Sequence, residues 1–191
     1  MQQRVEHDPL AAGGEALGRG AWEEAGESFR RALAAEESAE AWEGLSWAAW
    51  WLGDAETLPA RESAYRAHRA AGDKRGAGRM AVWLANDSLD FRGDPATGTG
   101  WLERARRLLE EEPTGSEHGW LLLLEGAYAL EVAGDLEESA RRARAATELG
   151  RELGVPDLEA VGLALEGEAL TAGGRVVLEG ALGGGLQVVD G

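Results

Sequence analysis

The sequence predicts an all-α protein, arranged as a right-handed α-solenoid of four to five helical hairpins. Apolar residues recur at helical spacing through most of the 191 residues, as in Leu102, Ala105, Leu108 and Leu109. Glycines recur at a near-constant interval, which is typical of stacked supersecondary units. Adjacent β-branched residues occur only near the C-terminus, at 176–177 and 188–189, so strand signals are nearly absent. A single hairpin cannot bury its apolar face, whereas stacked hairpins bury it against one another.

Five glycines define the interval, because each follows one helical pattern and precedes another. They are Gly20, Gly53, Gly93, Gly134 and Gly173, with separations of 33, 40, 41 and 39 residues. Three of them precede aspartate, which suits a tight turn because glycine adopts the left-handed cap and aspartate caps the next helix. Ser38 and Ser116 are further predicted N-caps. The predicted helices cover residues 6–18, 21–36, 38–52, 55–71, 74–92, 97–112, 116–133, 135–153 and 157–172.

Two segments resemble the helices of a tetratricopeptide (TPR) repeat. Residues 42–46, Trp-Glu-Gly-Leu-Ser, resemble the opening of its first helix. Residues 22–33 resemble its second helix, where Ala25 and Ala32 let neighbouring helices approach and Phe29 fills the gap between them. This resemblance lies mostly within residues 6–72, and the later repeats, of about 40 residues, exceed the usual TPR length of about 34.

A narrower resemblance extends over most of the chain. Its segments are residues 50–54 (Trp-Trp-Leu-Gly-Asp), 60–65, 71–73, 92–94, 100–109, 117–121 and 173–175. Together they resemble the TPR-like region of large bacterial regulators whose LuxR-type helix-turn-helix lies at the far C-terminus, and similar arrays accompany bacterial cyclase-like and ATPase signalling proteins. The resemblance implies a sensing or self-association module rather than a catalytic domain. It implies no DNA contact by this chain, which has no recognisable helix-turn-helix.

The expected organisation is a TPR-like repeat domain over residues 1–172 and a Gly-rich, degenerate tail over 173–191. Interior glycine costs a helix about 1 kcal/mol relative to alanine, so the glycines at 183–185 predict that a final helix ends near Leu182. The tail supplies no polar capping repeat. The chain is therefore either a fragment of a longer protein, or the apolar side of helix 157–172 pairs with another copy. That side comprises Leu158, Val161, Leu165 and Ala169.

Composition excludes several classes of function. The formal charge of −16 repels phosphate backbones and anionic lipid, so neither a nucleic acid nor a membrane is an expected partner. The absence of cysteine excludes disulfides and thiolate-ligated metals. The N-terminus lacks a signal-peptide apolar region, and the longest apolar run, Trp120–Leu124, is too short to span a bilayer. We therefore expect a cytoplasmic location.

The eight tryptophans are the main anomaly, and four of them lie in predicted helix 38–52. Trp47, Trp50 and Trp51 form a stripe opposite the stripe that contains Leu45, so this helix is apolar all round. If Gly53 directly follows the first helix of a TPR repeat, the stripe of Trp47, Trp50 and Trp51 faces the concave groove. The corresponding groove positions of later repeats are Trp83, Asp87, Asp90 and Phe91, followed by Leu124, Tyr128 and Glu131.

These residues predict an aromatic, acid-edged groove that binds an apolar or cationic segment of a protein or peptide partner, or of a second copy. Aromatic residues are enriched among binding hot spots, which favours this reading for the cluster. The alternative is that neighbouring helices simply pack on the rings.

Catalytic and metal-binding patterns are not found. His7, His68 and His118 lie far apart, and no Glu-x-x-His or His-Glu-x-x-His motif occurs, so we expect no metal, no cofactor and no enzymatic activity. His118 is interpreted as a solvated or capping residue, and the Asp87/Asp90 pair as a solvated face.

The sequence thus favours a protein-interaction or ligand-sensing module, as part of a transcriptional regulator or signalling protein. The alternatives are a stand-alone adaptor that binds a peptide in the Trp-rich groove and, against the charge and histidine pattern, a helical-repeat enzyme.

Overall fold

A computed structural model of the chain describes residues 8–183, with side chains described as far as residue 174. This part of the chain contains nine α-helices and no strand, which confirms the all-α prediction. The helices are α1 (Pro9–Gly18), α2 (Trp22–Ala35), α3 (Ala39–Leu52), α4 (Thr57–Ala71), α5 (Lys74–Asp90), α6 (Pro95–Leu109), α7 (Ser116–Tyr128), α8 (Leu136–Leu153) and α9 (Pro156–Gly183). A wider π-helical turn, Ala129–Ala133, continues α7. No helix between residues 8 and 183 is both long and apolar enough to cross a bilayer.

Left-handed glycines end several of the helices, as the interval predicts. The glycines with positive φ are Gly20, Gly53, Gly72, Gly93, Gly134 and Gly154. Four of them belong to the predicted series. The prediction that Gly173 separates two helices is wrong, because this residue lies inside α9. Gly72 and Gly154 also end helices, α4 and α8, but they do not belong to the series with the near-constant interval.

Side-chain caps begin some of the helices that follow these turns. Asp94 and Asp135 accept hydrogen bonds from the backbone N–H groups of Thr97 (3.1 Å) and Glu138 (2.9 Å), which confirms the capping role predicted for aspartate after glycine at these two turns. The same prediction is wrong for Asp54, because α4 begins after Glu56 without a side-chain cap and the Asp54 carboxylate accepts the Glu56 N–H within the turn. Ser38 caps α3 as predicted, because its hydroxyl accepts the N–H of Ala41 at 3.2 Å.

The cap predicted for α7 is wrong by one residue. Gly115, not Ser116, is the N-cap, and its N–H donates to Nδ1 of His118 at 3.1 Å. His118 is therefore a capping residue, one of the two roles predicted for it.

The chain divides into two compact units between residues 112 and 113, a division that the glycine interval does not indicate. The first unit contains α1 to α6. Each of the helices α1 to α5 packs against the helix that follows it, and α1 also contacts α3. The buried ring of Phe29 lies against Gly13 of α1 and Gly44 of α3, where an added Cβ would overlap the ring. Phe29 therefore fills the gap between closely approaching helices, as predicted.

The second unit consists of α7, α8 and α9, in which α8 packs against both other helices and α7 also contacts α9. Its core includes Leu123, Ala143 and Leu158. Helix α9 continues beyond the predicted residue 172 to Gly183, one residue past the end expected from the glycines at 183–185. Residues 184–191 of the predicted tail lie outside the described residues.

The apolar side of α9, which one of the two alternatives pairs with another copy, is mostly covered within the chain. Leu158, Leu165 and Ala169 are buried, and only Val161 of that set stays exposed, at 42%. That expectation is corrected because this side of α9 packs against α7 and α8.

Candidate functional site

Five of the eight indole rings form a continuous series of ring contacts across α2, α3 and α5. Trp22 stacks on Trp51 with 4.9 Å between centroids, and Trp51 meets Trp50 edge-on at 4.9 Å. Trp50 meets Trp47 at 6.4 Å, and Trp47 meets Trp83 at 5.0 Å, both edge-on. These distances and angles are those of favourable aromatic pairs. We call these five residues the tryptophan row.

No member of the tryptophan row is fully buried. Trp51 is 54% exposed, and the other four side chains are partly buried. The indole N–H of Trp50 is shielded from solvent and has no hydrogen-bond acceptor among the described residues. The rings therefore pack on one another, yet together they keep an accessible aromatic surface.

A buried ion pair supports one end of the tryptophan row. Nη1 of Arg61, on α4, donates to Oδ2 of Asp87, on α5, at 2.8 Å, and both side chains are fully buried. The Arg61 guanidinium also lies over the rings of Trp47 and Trp83, 4.7 and 5.6 Å from their centroids. Such contacts are stabilising when the cation is removed from water. Arg61 therefore holds these two indoles against each other.

Burial dominates the electrostatics of this pair. It raises the pKa of Asp87 to about 6, although the Arg61 charge opposes the shift. It also lowers the pKa of Arg61. Nε and Nη2 of Arg61 and Oδ1 of Asp87 are buried and have no partner among the described residues. A buried charge without its counter-charge costs free energy, so each member of the pair depends on the other.

A second polar cluster lies one helical turn before Trp47 and Trp83. Arg79 donates from Nε and Nη2 to the two carboxylate oxygens of Glu43, both at 2.7 Å. Nε2 of His68 lies 3.0 Å from Oε2 of Glu43, and Nδ1 lies 2.8 Å from Oδ2 of Asp73. Both ring nitrogens of His68 are thus engaged, so the imidazole has no free nitrogen for acid–base chemistry.

The charges in this cluster favour its ionised form. Burial by itself would raise the pKa of Glu43, but hydrogen bonds and charges from His68 and Arg79 outweigh it and lower the pKa to about 2. The hydrogen bond to Glu43 is the largest cause of a raised pKa at His68. A Cβ at Gly76 would overlap both the His68 ring and the Asp73 carboxylate, so this close arrangement requires glycine there.

Side-chain layers connect α3, α4 and α5 at successive turns. Positions 79, 83 and 87 of α5 are spaced by four residues and so lie on one face. They contact Glu43 and Trp47 of α3 and Arg61 of α4, in that order. The aromatic layer is consequently held between two ionic layers, which fixes the indoles without covering them.

The structure brings four predicted groove residues together, namely Trp47, Trp50, Trp51 and Trp83. Phe91 is 56% exposed and lines a separate concavity of about 250 Å³ with Leu58 and Asp54. Asp90 is exposed and accepts a hydrogen bond from Nδ2 of Asn86 at 2.8 Å.

Three predicted groove residues, Asp87, Leu124 and Tyr128, are buried instead of lining an open groove. Asp87 is neither in an open groove nor on a solvated face, because Arg61 draws its carboxylate into the interior. Leu124 and Tyr128 are buried within the second unit.

Sequence reasoning missed two residues of the site. Trp22 is part of the segment that resembles a TPR helix, but its contact with Trp51 depends on how α2 and α3 cross. Arg61 directly follows the buried Ala60 on α4. Its position beside this apolar face is the sequence feature that could have indicated its burial.

The described residues contain no group of three or more metal-ligating side chains that could hold an ion. Fold and site together define an all-helical protein with an exposed row of indoles on its N-terminal unit. Comparison with protein-family models, curated proteins and solved structures gives no match to this chain.

Proposed function

We propose that this chain is a TPR-like helical-repeat module, a solenoid of stacked hairpins, that binds a segment of another protein on the tryptophan row. The proposal rests on one observation: five contacting indoles keep exposed surface, while the buried Arg61–Asp87 pair holds Trp47 and Trp83 at one end of the row. Tryptophan is among the residues most enriched at binding hot spots. A row fixed in advance loses little conformational freedom when a partner binds.

The charge around the tryptophan row indicates the chemistry of the partner. Exposed carboxylates flank it in sequence, with Glu23 beside Trp22, Asp54 three residues after Trp51 and Asp90 two turns after Trp83. The chain as a whole carries a charge of −16. A segment with lysine or arginine next to apolar side chains would meet complementary charge at the edge and indole faces at the centre. We therefore propose a cationic, amphipathic peptide segment as the ligand.

The resemblance to the repeat region of LuxR-type regulators supports a role in a transcriptional regulator or signalling protein. A stand-alone adaptor would use the same surface. The neighbouring reading frames distinguish the two, because a helix-turn-helix encoded directly downstream favours the regulator. No catalytic step is part of the proposal.

Fluorescence titration tests the proposed surface. Seven of the eight tryptophans precede residue 113, so the emission reports mainly on the first unit. The probes are synthetic peptides with equal apolar content that are cationic, neutral or acidic. We expect saturable binding of the cationic peptide only. In Trp51→Ala the affinity should fall about tenfold or more.

Trp101 provides a matched control, because it is a partly buried tryptophan of the same unit outside the tryptophan row. Its ring contacts Tyr65 at 5.0 Å and lies under Arg104. Trp101→Ala should leave the affinity unchanged. Absence of binding by every peptide, or equal loss in both variants, would refute the proposal.

A further inference from the structure

Three arginines of the first unit line one concavity between α4 and α6. The concavity measures about 350 Å³ and is lined by Tyr65, Arg69, Arg104, Arg107 and Leu108. Among the described residues that line it, none is acidic. The whole chain has 35 acidic side chains against 19 lysines and arginines, so three arginines without an acid run against its composition. We call this feature the arginine concavity.

Helical spacing and one ring contact bring these side chains together. Tyr65 and Arg69 are four residues apart on α4, and Arg104 and Arg107 are three residues apart on α6, so each helix contributes one face. The ring of Tyr65 meets the ring of Trp101, on α6, edge-on with 5.0 Å between centroids. This aromatic contact joins the two faces and fixes the distance between the arginines of the two helices.

Two of the three arginines have no counter-charge. Within the part of the chain whose side chains are described, neither Arg69 nor Arg107 forms an ion pair or a side-chain hydrogen bond. The acid four residues after each of them is engaged elsewhere. Asp73 lies 2.8 Å from Nδ1 of His68, and Glu111 accepts a hydrogen bond from a lysine of α5 at 2.9 Å. The N–H donors of both guanidinium groups are therefore available to a ligand.

The third arginine is held in place without being neutralised. Nη1 of Arg104 donates to the backbone carbonyl of Gly100 at 3.0 Å, and the guanidinium lies over the ring of Trp101, 4.8 Å from its centroid. Neither the carbonyl nor the indole carries a net charge, so the positive charge of Arg104 persists. A cation that its own helix already positions loses little conformational freedom when a ligand binds.

This chemistry matches a phosphate group. Guanidinium groups form paired hydrogen bonds with phosphate and carboxylate, and clusters of arginine are the usual recognition device for phosphorylated groups. A phosphate monoester carries a charge of about −2 at neutral pH and three acceptor oxygens, so it can engage several guanidinium groups at once. A carboxylate has one charge and two oxygens, and it satisfies fewer of them.

The charge of the whole chain limits the ligand to an isolated phosphate. A nucleic acid presents a continuous series of phosphates, most of which would lie outside the concavity against a chain of net charge −16. A single phosphate group meets only the local positive charge of the three arginines.

We propose that the arginine concavity binds one phosphate monoester group, carried either by a phosphorylated side chain of a partner or by a small phosphorylated molecule. Arg69 and Arg107 bind it from two helices, and Arg104 supplies a third, fixed cation. The site is separate from the tryptophan row, whose members lie on α2, α3 and α5.

Isothermal titration calorimetry of the full chain tests the ligand. The probes are a short neutral peptide with one phosphoserine, the same peptide with serine or glutamate in its place, and glycerol 3-phosphate. We expect saturable binding of a phosphorylated probe, none of the serine peptide, and at least about tenfold weaker binding of the glutamate peptide. Tighter binding of the phosphopeptide indicates a partner side chain, and tighter binding of glycerol 3-phosphate indicates a small molecule. Absence of binding by both phosphorylated probes, or equal affinity for phosphoserine and glutamate, would overturn the proposal.

Two double variants test the location of the site. Arg69→Gln/Arg107→Gln removes two cations that have no described side-chain partner, so its helix content by circular dichroism should be unchanged. The dissociation constant of the tighter phosphorylated probe should rise by more than about tenfold.

Arg31→Gln/Arg66→Gln is the matched control. Both arginines are exposed, and each donates only to the hydroxyl of a serine three residues earlier, at 2.9 and 3.0 Å. This control changes the net charge equally but leaves the concavity intact, so the affinity should stay within about twofold of the wild type. Trp51→Ala should also leave it unchanged, which separates this proposal from the one for the tryptophan row. Equal losses in the two double variants would show that net charge alone controls binding and would refute the site.

Discussion

Removing one member of the buried Arg61–Asp87 pair should destabilise the first unit far more than replacing both. Asp87→Leu leaves the Arg61 cation buried without a counter-charge, and Arg61→Met leaves the Asp87 carboxylate in the same position. Loss of one partner of a fully buried ion pair costs about 3–5 kcal/mol. Both side chains are fully buried here, and three of their polar atoms have no partner among the side chains described up to residue 174, so solvent cannot compensate. A loss of this size is a large part of the stability of a typical domain.

The double variant Arg61→Met/Asp87→Leu should recover most of that loss. Its apolar side chains have similar bulk and leave no buried charge, and such replacements are often neutral or stabilising. The double-mutant cycle should therefore give a coupling of about 3 kcal/mol or more. Urea denaturation followed by tryptophan fluorescence measures it, since the emission comes mainly from this unit. Single variants that each cost less than about 1 kcal/mol, or a double variant that loses the sum of the singles, would refute the reasoning.

The same pair makes a prediction about pH. The pKa of Asp87 is raised from 3.8 to about 6 in the folded chain, so the native state binds this proton more tightly than the unfolded state does. The Asp87 contribution to the free energy of unfolding should consequently fall as the pH rises from about 4 to about 6. In Asp87→Asn this contribution should be absent from a series of urea titrations across that interval. An unchanged pH profile in the variant would contradict the shift.

Three further substitutions test other parts of the fold. The pKa of His68 is raised above 6.5, mainly by its hydrogen bond to Glu43, so its stabilisation is complete below pH 6.5 and is lost as the pH rises through the raised pKa. His68→Gln should remove that loss from urea titrations above pH 6.5. Gly44→Ala should cost about 1–3 kcal/mol, because its Cβ overlaps the Phe29 ring, and thermal unfolding by circular dichroism measures it. Asp135→Ala should cost about 1 kcal/mol in urea through loss of the cap on α8.

Each of these has a control on the same chain. Gly14→Ala meets no atom within 4 Å and should be neutral or stabilising, so equal effects at Gly14 and Gly44 would count against the packing described for Phe29. Asp135→Asn keeps an acceptor for the cap and should retain most of the stability. A wild-type pH profile in His68→Gln would show that the ring is not charged in the native state.

Much of the local structure follows from neighbouring residues and was therefore predictable. The helices at residues 22–35 and 39–52 begin and end within one residue of the predicted limits. Glycine followed by aspartate predicts the turns before α6 and α8, because both the left-handed cap and the aspartate bond are local. Helical periodicity also placed Trp47, Trp50 and Trp51 on one stripe. Their contacts with one another and with Trp83 are consistent with that placement.

The candidate site was predictable only in part, because its remaining features depend on residues far apart in the chain. Asp87 and Asp90 lie one turn apart on α5 and were grouped together from sequence, yet only Asp87 meets Arg61, a residue 26 positions earlier. Whether an acid is solvated or buried is decided by that partner. The place of Trp22 in the tryptophan row likewise depends on a distant residue, because its ring meets Trp51 only where α2 and α3 cross.

The amino-acid sequence by itself determined an acidic, cysteine-free, all-helical chain and the residues that share each helical face. The tertiary structure decided which of those faces is covered. On α9 the periodicity shows two apolar sides, but only packing against α7 and α8 distinguishes the buried side from the side on which Leu163 and Leu170 are exposed. The physical reason is that periodicity is a property of one helix, whereas burial is a property of its neighbours.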